Sequence, residues 1–197
     1  MKNRSTIFRF IFFILLVLAA IELLNAQSSA TSFRIGYNSS TVWTNRSDLP
    51  VRKNLPGIYL GAAYKYSFTP VELQGEMLIS TKGFMAQSVG ETYIHNLILY
   101  LEMPFCIKKK VIETAHMNIF LSGGLTFMCR ILAINLISEI EGIRRFDQGI
   151  NFGMGIQFGK IALEARYTQS FINMDLIEGP GYNQTFSAGM NFYFKGR

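Results

Sequence analysis

Two charged residues, Glu164 and Arg166, lie two positions apart in a segment that otherwise alternates between apolar and polar residues. Other alternating segments also carry charges at such positions, namely Lys65, Glu72, Glu76 and Glu102. Carboxylates beside cations can transfer protons in catalysis, line an ion path, or simply pair with each other. The choice depends on the elements that carry these charges and on which face of those elements meets water.

Other chemical signatures in the sequence are weak. His95 and His116 lie far apart and have no Cys or His partners at the spacing of a metal site. The stretch "GMGIQFG" (153–159) lies within a predicted strand and precedes another strand, whereas a dinucleotide-binding loop precedes a helix. A nucleophile motif of the Gly-x-Ser-x-Gly type does not occur. We therefore expect no cofactor, no metal ion and no enzymatic activity.

The first 26 residues differ in composition from the rest of the chain. Residues 1–10 carry three cations, residues 11–21 are apolar, and small and polar residues follow up to Ala26. This order is typical of a secretory signal peptide, so we predict cleavage after Ala26 and a mature domain over 27–197. The apolar run is too short for a comfortable transmembrane helix, and an uncleaved anchor is the alternative.

After residue 30 the chain shows a period of two and no sustained helical period. The predicted strands are 32–43, 57–69, 71–84, 93–107, 118–131, two strands within 149–171 that meet at Gly159-Lys160, and 184–195. Short turns alternate with longer connections, which cover 44–56, 85–92, 132–147 and 171–183, and a connection of intermediate length covers 108–117. This pattern predicts an all-β fold, an eight-stranded antiparallel transmembrane β-barrel with the up-and-down meander of OmpA and OmpX.

Alternation alone does not say which face of the strands meets water. The polar face contains small residues such as Gly61, Gly124, Gly153 and Gly189, which suit the inside of a narrow barrel. The apolar face is rich in aromatic residues, which are expected where strands cross a membrane interface. We therefore predict that the apolar face meets lipid. A soluble secreted barrel or sandwich, with its apolar face inside, is the alternative.

In a membrane barrel the charged residues face the lumen: Lys65, Glu72, Glu76, Glu102, Glu164 and Arg166, with Arg34 as a further cation. An unpaired buried charge is costly, and eight strands leave little room for a channel. We therefore expect an interior network of ion pairs, in which Glu164 and Arg166 pair with neighbouring strands and close the barrel. An ion path or a gate is the alternative.

Charge and cysteine content argue against nucleic-acid binding and against a disulfide bond. The net charge is +6, yet the sequence has no basic run beyond Lys108-Lys109-Lys110, so nucleic-acid binding, which needs clustered cations, is not expected. Cys106 and Cys129 fall at opposite ends of neighbouring predicted strands, which is beyond disulfide reach. Both are expected to be small apolar fillers.

Several stretches, taken together, resemble the PorT-like outer-membrane β-barrel proteins of Bacteroidetes. These stretches are "EMLISTKG" (76–83), "YLEMP" (100–104), Arg166-Tyr167 and the closing "FSAGMNFYF" (186–194). Their order and spacing carry the resemblance, which covers about 30–195. The resemblance implies a barrel in the outer membrane of a Gram-negative cell. One family member is tied to the export of secreted proteases, a role that fold resemblance alone does not transfer.

The sequence thus predicts a non-enzymatic integral outer-membrane protein with a structural, adhesive or secretion-accessory role. The long loops are the expected interaction surface. Expected partners are outer-membrane lipid and lipopolysaccharide, the barrel assembly machinery during insertion, and a protein at the extracellular loops. A narrow pore or transporter and a lipid-modifying barrel enzyme are the alternative functions.

Overall fold

The eight predicted strands close into a single antiparallel barrel in the computed structural model, which describes residues 28–43, 52–68, 70–87, 93–135, 145–171 and 181–194. The strands are β1 Ser28–Trp43, β2 Arg52–Phe68, β3 Val71–Gln87, β4 Tyr93–Glu113, β5 Asn118–Asn135, β6 Phe146–Phe158, β7 Ile161–Ser170 and β8 Tyr182–Tyr193. Each strand pairs with the next along the chain, and β8 pairs with β1. The predicted eight-stranded meander is therefore confirmed.

The predicted signal peptide, residues 1–26, lies outside the described residues. Its cleavage and the domain boundary at residue 27 therefore stay predictions. Within the described ranges, no helix is long and apolar enough to cross a membrane.

β4 is longer than the sequence pattern predicts. It runs to Glu113, and the turn that follows is closed by the Thr114 amide, which donates to the Met117 carbonyl at 2.9 Å. The predicted connection over 108–117 is therefore wrong, because its three lysines belong to the strand. Lysine is depleted in strands, and three in succession conceal an alternation that continues through Lys108.

The apolar face of the strands is turned outward. Outward side chains such as Ile58, Met77 and Phe152 stay about 60% exposed (62%, 59% and 60%). The inward set is polar, and Asn151 and Asn191 are each 0% exposed. A soluble barrel has the opposite arrangement, so the predicted assignment of the two faces agrees with the structure.

The lumen is layered along its axis. At the end that carries the long loops, here called the loop end, a buried apolar cluster comprises Val42, Phe84, Ile98, Tyr100 and Met128. At the opposite end, the turn end, a second buried cluster comprises Phe120, Ala162 and Tyr193, with Ala30 packed against it. Along β1, the buried Arg34 lies between Ala30 and Val42. Arg34 therefore lies in the middle of the lumen, between two apolar clusters.

Inward glycines make room for one ring that lies over two neighbouring strands. Gly36 of β1 and Gly189 of β8 are paired in register, and a Cβ atom at either position would overlap the hydroxyl of Tyr59 from β2. Tyr59 itself is 4% exposed. The absence of a side chain at these two glycines is therefore a packing requirement of the barrel interior.

Gly189→Ala should lower the free energy of unfolding by about 1–3 kcal/mol, because the added methyl group overpacks the slot that Tyr59 fills. Adding Tyr59→Phe should restore part of that loss, since it removes the hydroxyl that the methyl group meets. The measurement is denaturant unfolding in detergent. Gly75→Ala is the control, because a Cβ atom there meets only the Phe105 ring at 3.6 Å; an equal loss in both alanine variants would contradict the packing argument.

Candidate functional site

Ten charged side chains of the described residues are buried in the barrel. Five are cations and five are carboxylates: Arg34, Lys65, Lys82, Lys108 and Arg166, and Glu72, Glu76, Glu102, Asp147 and Glu164. The two sets are equal in number, so this part of the lumen carries no net formal charge. The period of two places all of them on inward faces, because residues of one parity along a strand share a face.

Glu76 and Glu164 form the centre of the largest cluster, called here the central cluster, together with Arg34, Lys108 and Arg166. Arg166 Nη2 lies 2.6 Å from Glu76 Oε1 and 2.7 Å from Glu164 Oε1, and Arg166 Nη1 donates to Glu76 Oε2 at 3.0 Å. Arg34 Nη1 lies 2.7 Å from Glu76 Oε1. Lys108 Nζ lies 2.6 Å from Glu164 Oε2. All four carboxylate oxygens therefore have a cationic partner.

The contact between Arg166 and Glu76 spans the lumen, because β7 and β3 lie four strands apart in a closed barrel of eight. The predicted pairing with neighbouring strands is therefore wrong. The reason is visible in the register, where Glu164 lies between Gly155 of β6 and Gly189 of β8. These glycines offer no side chain to pair with, and the space beside them is filled by the Phe120 ring from β5 and the Tyr59 ring from β2.

The remaining predicted residues form separate pairs. Lys65 Nζ lies 3.2 Å from Glu72 Oε1, which joins β2 to β3 towards the turn end. Glu102 pairs with Lys82, whose Nζ lies 2.9 Å from Glu102 Oε1. The structure thus brings three of the six predicted residues together in the central cluster, and Lys65, Glu72 and Glu102 lie outside it.

Three lumenal charges went unpredicted, namely Lys82, Lys108 and Asp147. Lys108 and Asp147 fall within predicted connections, so their faces were not assigned. Lys82 lies in a predicted strand, and continuing the period of two from the inward Ser80 would have identified it. Asp147 accepts hydrogen bonds from the Ser170 hydroxyl and, at 2.7 Å, from the Gln148 amide.

Cys106 also differs from its predicted role. It is buried and faces the lumen, where its thiol donates to Asn151 Oδ1 at 3.2 Å. Asn151 in turn donates to Thr126 Oγ1 at 2.8 Å. The expectation of an apolar filler is therefore wrong at Cys106, because the face that carries it is polar. Cys106 and Cys129 are both free thiols.

A small cavity lies beside the central cluster, lined by Arg34, Tyr59, Lys82, Glu102 and Arg166 among others. Its volume is about 20 Å³, which is room for about one water molecule. Among the described residues, no group of three or more His, Cys, Asp or Glu side chains is placed to hold a metal ion. The arrangement suits mutual neutralisation of charge.

Comparison with known proteins finds similar solved structures but no matching protein family. No protein-family model matches the chain, and no curated protein is significantly similar to it. Ail, the attachment invasion locus protein of Yersinia pestis, is 20% identical with a TM-score of 0.49, over 85% of this chain and 100% of that one. Neisserial surface protein A is 11% identical with a TM-score of 0.48, over 83% and 97%.

The outer membrane enzyme PagL is 10% identical with a TM-score of 0.42, over 79% of this chain and 98% of that one. Values this low carry no argument about ligand, partner or activity. The barrel topology given above rests on the strand pairing of this chain itself.

Glu76→Gln should lower the free energy of unfolding by about 3–5 kcal/mol, because it leaves two buried arginines short of a counter-charge. Glu72→Gln is the matched control. Its ion pair with Lys65 has side chains that are 12% and 10% exposed, so water replaces part of what is lost and the effect should be smaller. Denaturant unfolding in detergent measures both, and equal losses would contradict a special role for the central cluster.

Proposed function

We propose that this protein is an integral outer-membrane barrel without enzymatic activity, with a closed lumen and a structural, adhesive or secretion-accessory role at its loop end. The observation that carries the proposal is the inverted polarity of the barrel. Ten charged side chains are inside, while large apolar side chains on the outer wall remain exposed. In water this arrangement would expose an apolar surface around the whole barrel, whereas lipid makes it favourable.

The dimensions of the outer wall support a membrane position. On β4 the outward residues from Leu97 to Ile107 are all apolar, and exposed His95 and Lys109 bound them. Ten residue steps at about 3.3 Å give about 33 Å along the strand. With the strand tilt of about 40° found in outer-membrane barrels, this becomes about 25 Å along the membrane normal, which is the usual height of their apolar band.

Three features support a closed lumen. The Arg166–Glu76 contact crosses it, apolar layers lie on both sides of the central cluster, and the cavity beside the cluster holds about one water molecule. The buried cations and carboxylates are equal in number, so neither sign is in excess among them. These features favour a structural role of the charges over an ion path.

We also propose membership of the PorT-like family and export through a signal peptide. The motifs that carry the resemblance coincide with lumenal charges. "EMLISTKG" contains Glu76 and Lys82, "YLEMP" contains Glu102, and "RY" begins with Arg166. The likeness therefore concerns how the barrel interior is filled. A secretion-accessory role would act through the loops, and the lumenal motifs lie outside the loops.

Cell fractionation and heat-modifiable gel migration test the membrane position. The protein should be found in the outer-membrane fraction and should migrate differently before and after boiling, because a closed barrel resists detergent until it is heated. Recovery as a soluble periplasmic protein with no change in migration on boiling would overturn the proposal.

Planar-bilayer recording tests the closed lumen. The purified barrel should give no reproducible single-channel steps in a preparation in which a known porin conducts. The layered interior is the reason, since an ion would have to pass two apolar clusters and a filled ion-pair network. A clear and reproducible conductance would favour the narrow pore or transporter instead.

A further inference from the structure

The outer wall carries a depression of about 700 Å³ that extends over parts of β5, β6, β7, β8 and β1. Its floor is formed where Ala165 of β7 and Ala188 of β8 lie side by side in register. Larger aliphatic side chains surround them: Ile35, Ile119, Met154, Ile156, Leu163 and Met190. We refer to this depression as the wall groove.

The wall groove follows from the strand register. One outward row runs from Tyr37 through Ala188 and Ala165 to Met154, so two short side chains lie between two long ones. A convex barrel wall has a hollow only where neighbouring strands both carry short residues at the same level. On β2, outside the wall groove, outward Ala62 has Phe33 and Met77 as its register neighbours, so it has no second short residue beside it.

The lining of the wall groove selects its occupant. The surrounding side chains are aliphatic, and Glu164 contributes only backbone because its carboxylate lies in the central cluster. A flexible methylene chain can fill such a hollow with dispersion contacts and needs no hydrogen bond from it. Within a lipid-facing wall, that is the chemistry of an acyl chain.

A cation lies below the wall groove on the same strands. Lys160 is exposed in the tight turn between β6 and β7, where Gly159 has a φ of 53°. The Lys160 carbonyl accepts a hydrogen bond from the Tyr193 amide at 2.7 Å, which ties the turn to β8. Leu163 at the wall groove lies three positions after Lys160, or about 10 Å along the strand. An anionic headgroup at Lys160 and an acyl chain in the wall groove therefore fit a single lipid.

We propose that the wall groove and Lys160 together form a site for one anionic phospholipid of the leaflet at the turn end. The proposal rests on the membrane position given under Proposed function. The phosphate lies at Lys160, since lysine near a membrane surface attracts anionic headgroups. One acyl chain runs past the outward Ile161 and ends over Ala165 and Ala188.

Native mass spectrometry of the barrel in detergent, titrated with phosphatidylglycerol, tests the site. The wild-type barrel should retain one phospholipid. The groove-filling variant Ala165→Leu/Ala188→Leu should retain several-fold less, while the control Ala62→Leu, which adds the same side chain at an outward position elsewhere, should match the wild type. Lys160→Gln should also weaken retention several-fold, whereas Lys109→Gln, at an exposed lysine on β4, should not.

Three results would overturn the proposal. The first is equal retention by the groove-filling variant and Ala62→Leu. The second is retention of lipopolysaccharide in preference to phospholipid, which would assign the other leaflet. The third is a dimer that only the groove-filling variant loses, which would make a second copy of the chain the occupant. Heat-modifiable migration of each variant shows whether it is a folded membrane barrel. A folded membrane barrel that retains no lipid overturns the lipid site and leaves the proposed function standing.

Discussion

The bidentate ion pair between Arg166 and Glu76 across the lumen is the contact on which the interior depends. A closed barrel satisfies its backbone groups by strand pairing and leaves two faces to divide between polar and apolar residues. An outward Arg or Lys would cost about 2–4 kcal/mol at the membrane midplane, so charges belong inside. There the side chains of the central cluster are at most 5% exposed, which strengthens each ion pair and also makes an unpaired charge more costly.

Inward residues on nearby strands differ in side-chain size, and this difference lets the barrel fill its own lumen. Gly155 of β6 and Gly189 of β8 leave hollows along one wall. The Phe120 ring from β5 lies where a Cβ atom of Gly155 would be, and the Tyr59 hydroxyl lies against Gly189. Glycines and the large rings on nearby strands are therefore complementary features of a single packing arrangement.

The number of strands could be predicted from the sequence, because a period of two persists along each strand and survives the charges at Glu164 and Arg166. The direction of the faces could be predicted from the small residues on the polar face and the aromatic residues on the apolar face. The partners of Glu164 and Arg166 could not be predicted, since alternation gives a residue's face but not which opposite wall its side chain reaches. Lys108 shows a second limit, because a run of three lysines looks like a loop when propensity is considered alone. The wall groove shows a third, because the adjacency of Ala165 and Ala188 exists only once the strand register is known.

The central cluster has a kinetic consequence that follows from its chain separations. Apart from the Arg166–Glu164 contact within β7, its contacts join residues 42, 56, 90 and 130 positions apart, and none of these joins neighbouring strands. Hairpins can form one after another without the Arg166–Glu76 and Lys108–Glu164 contacts, which need opposite walls of the barrel to face each other. Contacts that form so late are absent from the folding transition state, so they act on the rate at which the barrel opens and have little effect on the rate at which it closes. We therefore expect the charges that cross the lumen to lengthen the lifetime of the closed barrel more than they speed its formation.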